Sequence, residues 1–140
     1  MPVLARNKKA FHDYFIEDKL EAGIELVGTE VKSVKAGKVS IKESFIRIVR
    51  DEIFVMNMHI TPYEFGNINN VAESRVRKLL LNRREIKKWS EKIKEQGYTI
   101  VPISVYTKQR LVKMEIGLAK GKKMHDKRES LKRKDIDRDM

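Results

Sequence analysis

Residues 98–119, YTIVPISVYTKQRLVKMEIGLA, contain two strand-like runs joined by the polar sequence TKQR. In the second run every other residue from Val112 to Leu118 is apolar, and Lys113 and Glu115 stand between them. Successive side chains of a strand point to opposite faces of a sheet, so this alternation predicts a strand with one buried face. Lys113 then lies on the other face, toward solvent or a ligand.

Similar patterns upstream predict more strands. The second half of residues 14–27 alternates with a period of two, which indicates one strand or two strands with a bend. Residues 28–37 predict a short helix that ends at Gly37. Residues 44–60 contain two strand-like runs around Arg50, which we interpret as a hairpin.

The clearest helix of the sequence lies between the two pairs of strands. Asn82 suits the N-cap, and Glu85 stands three residues on, as in a capping box. Ile86 and Trp89 share one face of the predicted helix, and Gly97 can end it.

These elements indicate a mainly β fold with short helices and one longer helix. Five or six short strands, mostly joined as hairpins, close most economically as an OB-type antiparallel β-barrel. We predict a barrel domain over residues 1–119 and a flexible basic tail over residues 120–140. Residues 61–74 read as a long loop, for which the sequence indicates no role.

The charge of the chain favours an anionic partner. The formal net charge is +11, and the excess of Lys and Arg extends through the body of the chain as well as residues 119–140. Nucleic acid is therefore the first candidate partner. No apolar run approaches the length of a membrane-spanning helix, so we expect no membrane partner. The chain has no cysteine, which excludes disulfides and thiolate zinc sites and fits a cytoplasmic protein.

The last 22 residues have too little apolar surface to fold alone. Their only large apolar side chains are Met124, Leu131, Ile136 and Met140. Burial of so few groups does not offset the entropy of ordering the backbone. We expect this tail to be disordered in free solution and to fold against RNA, whose phosphates can pair with its nine cations.

Candidate catalytic residues are few. His12, His59 and His125 lie in different segments, and no phosphate-binding loop, HExxH or GxSxG motif is present. His12 next to Asp13 could act as an oriented base, so a nuclease that pairs His12 with a lysine or with Glu21 stays an alternative. We predict no enzyme, no metal site and no cofactor.

The basic residues of the body carry more information than the histidines. Each alone is most often a solvated charge, but together they can form a groove for a phosphate backbone. Few aromatic residues are placed to stack on exposed bases, which favours recognition of the shape of a folded RNA. These aromatics are Tyr14, Phe15, Tyr63 and Phe65, and the candidate phosphate ligands are Lys8, Lys9, Lys32, Arg75, Arg77, Lys78 and Lys113.

Glu21 departs from the basic trend. It projects from the polar face of the alternating strand, where it is either an ordinary surface carboxylate or part of an RNA-binding face. In the second case it can accept hydrogen bonds from a base amino group or from a ribose 2′-hydroxyl.

Three stretches of this sequence resemble signatures of one family. NKKAFHDYFIEDKLEAGIELVGTEVKS, residues 7–33, resembles the opening signature of the small protein B (SmpB) family, the bacterial partners of transfer-messenger RNA. RKLLLNRREI, residues 77–86, resembles the middle signature, and LAKGKKMHDKR, residues 118–128, the C-terminal one. The sequence departs from the family at Glu73–Ser74, where a proline is common, and at Lys108–Arg110, which lacks the usual glycine.

The resemblance implies a function in translation. It implies an OB-type barrel that binds the tRNA-like domain of transfer-messenger RNA and delivers it to stalled ribosomes for trans-translation. The implied partners are this RNA, the 30S ribosomal subunit with its ribosomal RNA, and elongation factor Tu in complex with the charged RNA. A general OB-fold RNA-binding protein that handles ribosomal RNA or tRNA is the alternative.

The resemblance also assigns roles to particular residues. RNA contacts are implied at Asn7, His12, Glu21 and Lys113, with phosphate contacts at Lys8, Lys9 and Lys32. Residues 120–138 would fold along the empty mRNA path. The segment implied to lie near the decoding centre comprises Gly121, Lys122, Lys123, His125, Asp126, Lys127 and Arg128.

Overall fold

The computed structural model describes residues 3–62 and 72–121. In chain order the elements are β1 (Val3–Arg6), α1 (Lys9–Asp13), β2 (Tyr14–Ile24), α2 (Gly28–Lys35), β3 (Val39–Ser40), β4 (Phe45–Val49), β5 (Glu52–Met56), β6 (His59–Ile60), β7 (Arg77–Leu80), α3 (Arg83–Gln96), β8 (Thr99–Lys108) and β9 (Leu111–Gly121). The predicted content, mainly strands with short helices and one longer helix, is confirmed.

Seven of the strands form one antiparallel sheet. Its order is β1-β8-β9-β2-β7-β5-β4, and β3 pairs with β6 in a separate two-stranded sheet. The large sheet curls until β4 lies near β8, but no ladder joins its edge strands β1 and β4 within the described residues. The predicted barrel is therefore corrected in one respect: the sheet is not closed by hydrogen bonds.

The β8–β9 hairpin forms as its sequence pattern predicts. Val112, Met114, Ile116 and Leu118 are all buried on the inner face. β2 pairs along nearly the whole length of β9, and a register shift between Ile16 and Asp18 bends it. Of the two alternatives for residues 14–27, the structure shows the single strand, which ends at Ile24.

Helix α3 has the ends that its sequence indicates. The Asn82 side chain accepts a hydrogen bond of 3.0 Å from the Glu85 backbone N–H, and Gly97 ends the helix in the left-handed conformation at φ 71°. Ile86 and Trp89 are buried against the inner face of the sheet. The helix therefore presents its opposite side to solvent.

Both long hairpins turn through two non-glycine residues with positive φ. Arg50 and Asp51 have φ values of 52° and 63°, and Gln109 and Arg110 have values of 52° and 69°. Turns of this hand match the twist of paired strands, although Asn-Gly is the pair that usually forms them. The hairpin predicted around Arg50 is confirmed without that turn sequence.

A second, smaller core attaches α1 to the outer face of the sheet. Ala10 of α1 is fully buried against Val101, Ile103 and Ala119. Gly117 permits this close contact, because a Cβ there would lie 2.9 Å from Ile103 Cδ1. The segment that contains α1 is therefore held against the side of the sheet that bears Glu21 and Lys113.

Part of the predicted tail belongs to the sheet. Lys120 and Gly121 end β9 and pair with Phe15 and Tyr14 of β2. The other predicted decoding-centre residues, Lys122, Lys123, His125, Asp126, Lys127 and Arg128, lie outside the described residues, as do Tyr63 and Phe65. None of the helices in residues 3–62 and 72–121 is long and apolar enough to cross a membrane.

Candidate nucleic-acid interface

A groove of about 700 Å³ runs between the α1 segment and the outer face of the sheet. We call it the α1 groove. It brings together three of the predicted RNA-binding residues, Asn7, Lys8 and Glu21. Its lining comprises Val3, Arg6, Asn7, Lys8, Phe11, Lys19, Glu21, Ile103, Ser104, Tyr106 and Glu115.

Asn7 fixes one wall of the α1 groove. Its side-chain Nδ2 donates to the Pro102 carbonyl at 2.9 Å, and its backbone N–H donates to the Ile103 carbonyl at 2.8 Å. Its Oδ1 accepts from the Lys9 backbone N–H at 3.2 Å. These bonds connect β8 to the start of α1, so Asn7 positions the segment that carries Lys8 and Phe11.

Glu21 lies on the floor of the groove, between a phenol and an ammonium group. The Tyr106 hydroxyl donates a hydrogen bond to Glu21 Oε2, and Lys108 Nζ lies 3.4 Å from both carboxylate oxygens. The Tyr106 hydrogen bond is the main cause that lowers the pKa of Glu21, and the charges of Lys108 and Lys113 lower it further against the effect of burial. Glu21 is therefore a fixed hydrogen-bond acceptor that stays ionised at neutral pH.

Tyr106 shows the reciprocal effect. Burial raises the pKa of the Tyr106 phenol, and its hydrogen bond to the Glu21 carboxylate raises it further. The phenol consequently keeps its proton and acts as a donor throughout the physiological range. Lys113 stands next to this pair, opposite Tyr106 on one side and Gly23 on the other.

An exposed aromatic ring and a lysine line the groove at its α1 side. The side chain of Phe11 is half exposed, and Lys19 Nζ lies 5.1 Å from the centre of its ring. Phe15 is exposed at the start of β2. Such rings can stack on a base, while the ammonium group contacts phosphate.

His12 and Glu21 interact with different residues. Its imidazole is 81% exposed and pairs with Asp13 at 2.8 Å, whereas Glu21 is engaged by Tyr106 and Lys108. A nuclease that uses His12 with Glu21 therefore gains no geometric support. Within residues 3–62 and 72–121 no group of three His, Asp or Glu side chains is arranged to hold a metal ion.

Arg77 requires a correction. We predicted a phosphate contact, but its side chain is 0% exposed and donates to Glu30 Oε2 at 2.7 Å and to the Met58 carbonyl. Arg75 holds the other oxygen of Glu30 at 2.5 Å. Arg77 is therefore enclosed where RNA has no access, and Arg75, 29% exposed, pairs with the same carboxylate.

The remaining predicted lysines are spread over several surfaces. Lys78 pairs with Glu52 at 2.6 Å and lines a hollow next to Glu21. Lys9 lines a different hollow with Lys42, and Lys32 is exposed on α2. Of the predicted set, the α1 groove and its border thus unite Asn7, Lys8, Glu21 and Lys113.

The sequence interpretation overlooked four residues of this region: Phe11, Lys19, Tyr106 and Lys108. Tyr106 follows buried Val105 in β8, so strict alternation places its side chain on the outer face. This pattern could have identified Tyr106 from the sequence. Phe11 lies on a helix of five residues, too short for a helical pattern to show its direction.

Comparison with known proteins decides the family. The family described as SmpB protein matches residues 4–140. The chain belongs to the SmpB family. The resemblance found in the three sequence motifs is therefore confirmed, and the SmpB motifs now fall on the α1 groove, on β7 with the start of α3, and on the end of β9.

Individual SmpB relatives are similar over nearly their whole length. An SsrA-binding protein of Fusobacterium nucleatum is 62% identical over 138 residues, which cover 99% of this chain and 93% of that protein. An SsrA-binding protein of Caldanaerobacter subterraneus is 56% identical, with coverage of 99% and 87%. A chain from the solved structure described as "tmRNA-SmpB: a journey to the center of the bacterial ribosome" is 46% identical, with a TM-score of 0.70 and coverage of 87% and 85%.

Proposed function

We propose that this SmpB-family chain binds the tRNA-like domain of transfer-messenger RNA in the α1 groove and brings it to stalled ribosomes for trans-translation. The observation that carries the binding site is an ionised carboxylate, Glu21, held between Tyr106 and Lys108 on the floor of a groove with cationic walls. Relatives named for SsrA binding support the choice of RNA.

The groove can combine two kinds of RNA contact. Lys8, Lys19 and Lys113 supply positive charge for phosphates, which positions an RNA without reading its sequence. Glu21 accepts from a donor such as a base amino group or a 2′-hydroxyl, which only a correctly docked RNA presents. A carboxylate in a cationic groove repels a phosphate, so Glu21 favours docking of one RNA shape over others.

The tail is proposed to act on the ribosome. Residues 122–138 would extend from the end of β9 into the empty mRNA path of the 30S subunit, with Lys122, Lys123, His125, Asp126, Lys127 and Arg128 near the decoding centre. An mRNA in this path would exclude the tail by occupying the same space. Delivery would proceed in the cytoplasm with elongation factor Tu bound to the charged RNA.

Selective affinity tests the RNA part of this proposal. Binding of the full chain to the tRNA-like domain is compared with binding to an elongator tRNA of similar length and charge. Glu21→Gln keeps the shape of the side chain but removes its charge, and Glu91→Gln on α3 is the matched control at an exposed carboxylate. We expect Glu21→Gln to lose at least tenfold in selectivity and Glu91→Gln to keep it. Equal affinity of the unmodified chain for both RNAs would favour a general RNA-binding protein instead.

A truncation tests the tail. Removal of residues 122–140 leaves every described element in place. We expect unchanged affinity for the tRNA-like domain and loss of peptide tagging in a reconstituted translation reaction. Parallel loss of affinity and tagging would mean that the tail serves only as a nonspecific cationic extension.

A further inference from the structure

We infer that a small hollow on the other side of the α1 segment binds one unpaired nucleotide of an RNA, with the base inside and the phosphate at the mouth. We call it the seam hollow, and its volume is about 170 Å³. The inference rests on the proposed function for the RNA that is bound, and it adds a site outside the α1 groove. The residues that carry the argument are Asn7, Lys9, Tyr14, Lys42, Phe45 and Ile100, all of which line the hollow.

The seam hollow lies where the large sheet is not closed. Edge strand β4 lies near β8, but no ladder joins the two strands. Edge strand β1 pairs with β8 only from Ser104 onward. Residues Thr99–Pro102 of β8 therefore have β9 on one side and no paired strand on the other within the described part of the chain. Phe45 of β4 and Lys42 just before it lie across this gap.

The free side of β8 offers one backbone donor and one backbone acceptor. Pro102 has no N–H, and its carbonyl accepts from Asn7 Nδ2, so its hydrogen-bonding side faces away from β9. Residues two positions apart on a strand share this direction, so the N–H and C=O of Ile100 face the seam hollow. Among the described residues, no backbone hydrogen bond outside the strand ladders involves Ile100. These two groups are therefore available to a ligand.

The size of the seam hollow fits one base. A protein cavity of roughly 150 Å³ holds a benzene-sized ring. A hollow of about 170 Å³ therefore takes the ring of a single base and excludes a base pair. An unpaired base presents the donors and acceptors of its Watson–Crick edge, which a duplex would occupy, and these groups match the N–H and C=O of Ile100. The hollow thus favours an unpaired nucleotide.

Two aromatic side chains from different elements line the seam hollow. Tyr14 is half-buried at the start of β2, and Phe45 is 42% exposed at the start of β4. Phe45 is not part of the core, because its neighbour Ile46 is the residue that points inward. The guanidinium of Arg47 lies 5.8 Å from the centre of the Phe45 ring. An exposed ring beside a cation is suited to stack on a base.

The charges around the seam hollow suit the phosphate of the same nucleotide. Lys9 of α1 and Lys42 in the segment before β4 are both exposed, and they approach the hollow from different elements. Asp13 also lines the hollow, but its carboxylate pairs with His12 at 2.8 Å. Two lysines against one paired carboxylate favour an anionic ligand. A planar ring combined with a negative group is the chemistry of a nucleotide.

Asn7 connects the seam hollow to the α1 groove. It lines both, while Lys8 lines only the groove and Lys9 only the seam hollow. The start of α1 therefore separates two hollows that lie next to each other. An RNA bound in the α1 groove can extend across this segment and place one extruded nucleotide in the seam hollow. Extrusion costs least for a base that is already unpaired.

The test compares two ring variants of the full chain. Phe45→Leu removes the ring at the seam hollow but keeps an apolar side chain. Phe54→Leu makes the same change on β5, at a position that does not line the hollow. The affinity of each variant is measured for the tRNA-like domain and, separately, for vacant 30S subunits. Thermal unfolding shows that each variant is folded.

We expect Phe45→Leu to lose about tenfold in affinity for one of these two RNAs, as for the loss of one stacked base. Its salt dependence should not change, because stacking releases no counterions. Phe54→Leu should bind as the unmodified chain does. A loss with either RNA supports the inference and identifies the source of the nucleotide. Unchanged affinity for both RNAs, or equal losses for the two variants, would overturn it.

Photocrosslinking provides a readout that does not depend on affinity. The full chain with Phe45→benzoylphenylalanine should crosslink to one unpaired nucleotide, whereas Phe54→benzoylphenylalanine should not reach it. Crosslinks from position 45 confined to base-paired nucleotides would overturn the inference. If the unmodified chain binds the tRNA-like domain no better than an elongator tRNA, the proposed function fails, whereas the crosslinks still decide whether the seam hollow binds a nucleotide.

Discussion

The Tyr106 hydroxyl donates a hydrogen bond to Glu21 across β8, β9 and β2, three neighbouring strands of the sheet. The two residues are 85 positions apart in the sequence, and the intervening strand β9 sets the distance between them. This contact keeps a carboxylate ionised and oriented in a groove that otherwise attracts anions. Tyr106 is therefore a positioning residue for Glu21.

Replacement of Tyr106 by Phe tests this role. Loss of the hydroxyl removes the main cause of the lowered pKa of Glu21, so Glu21 becomes protonated at a higher pH. As the pH falls, Tyr106→Phe should therefore lose RNA affinity at a higher pH than the unmodified chain. At neutral pH we expect the variant to bind RNA about fivefold to tenfold more weakly, as for the loss of one hydrogen bond. Fluorescence titrations between pH 4.5 and 8 measure both quantities.

Tyr98→Phe is the control for that variant. Tyr98 donates a hydrogen bond to Glu17, a carboxylate that does not line the α1 groove, so its removal should leave RNA affinity unchanged. Identical pH profiles for Tyr106→Phe and the unmodified chain would refute the positioning role.

Gly117 should tolerate no side chain, because the small core under α1 leaves no space for one. In Gly117→Ala the new Cβ would meet Ile103 Cδ1 at 2.9 Å and Ile16 Cγ2 at 3.0 Å. We expect a loss of about 1–3 kcal/mol in the free energy of unfolding, as for an overpacked core, together with weaker RNA binding through displacement of α1. Gly28→Ala is the control, since nothing lies within 4 Å of its Cβ position. Urea unfolding measures the free energy of unfolding of both variants. Equal losses for Gly117→Ala and Gly28→Ala would show that the close contacts at Gly117 are not the cause.

The turn at Gln109 and Arg110 should be strained. Both residues have positive φ, which a side chain disfavours. Replacement of the pair by Asn-Gly should stabilise the protein by about 1 kcal/mol, because this pair suits the turn. Replacement by Ala-Ala removes the same side chains but keeps the strain, so it should bring no such gain. Chemical denaturation measures both, and a gain for Ala-Ala equal to that for Asn-Gly would show that the side chains, not the backbone, are unfavourable.

Arg77 should be required for stability. Burial alone raises the pKa of Glu30, but hydrogen bonds from Arg75 and Arg77 hold it below its ordinary value of 4.5. A lowered folded-state pKa means that the ionised pair stabilises the fold above that value, and that this stabilisation is lost as the pH falls through the lowered pKa. Arg77→Met should cost about 3–5 kcal/mol, because it leaves the buried carboxylate with Arg75 as its remaining arginine partner and removes the buried guanidinium that fills this part of the core.

A double variant checks the cause of that loss. Arg77→Met combined with Glu30→Gln removes the buried charge that the single variant leaves with Arg75 alone, so it should recover part of the stability. Thermal unfolding at pH 7 measures the difference. A double variant no more stable than Arg77→Met would show that packing, and not charge, accounts for the effect.

Local pattern was sufficient to predict much of this fold. Alternation over residues 112–118 and the capping residues Asn82 and Gly97 act within a few positions, and both elements form as expected. Strand β7 was not predicted, because Arg77–Leu80 is only four residues long and buries an arginine. That arginine is satisfied by Glu30, 47 residues away, and sequence alone does not reveal such a pairing.

The sequence predicted only part of the candidate interface, because contacts between residues far apart in the chain do not show in local patterns. The family resemblance implied RNA contacts at Asn7, Glu21 and Lys113, but the residues that orient Glu21 lie in β8, outside the three motifs. Motif residues that serve the interior, such as Arg77, cannot be told from surface residues without the fold. Whether the sheet closes into a barrel likewise depends on the register of all seven strands, which no single segment determines.

Amide hydrogen exchange of the full chain, measured with and without the tRNA-like domain, decides whether this RNA binds in the α1 groove. We expect slower exchange on RNA binding in the α1 segment from Asn7 to Phe11 and around Glu21, with no change over residues 36–38, which follow α2. Protection confined to α2 and the residues after it, with the groove segment exchanging as in the free protein, would contradict the account.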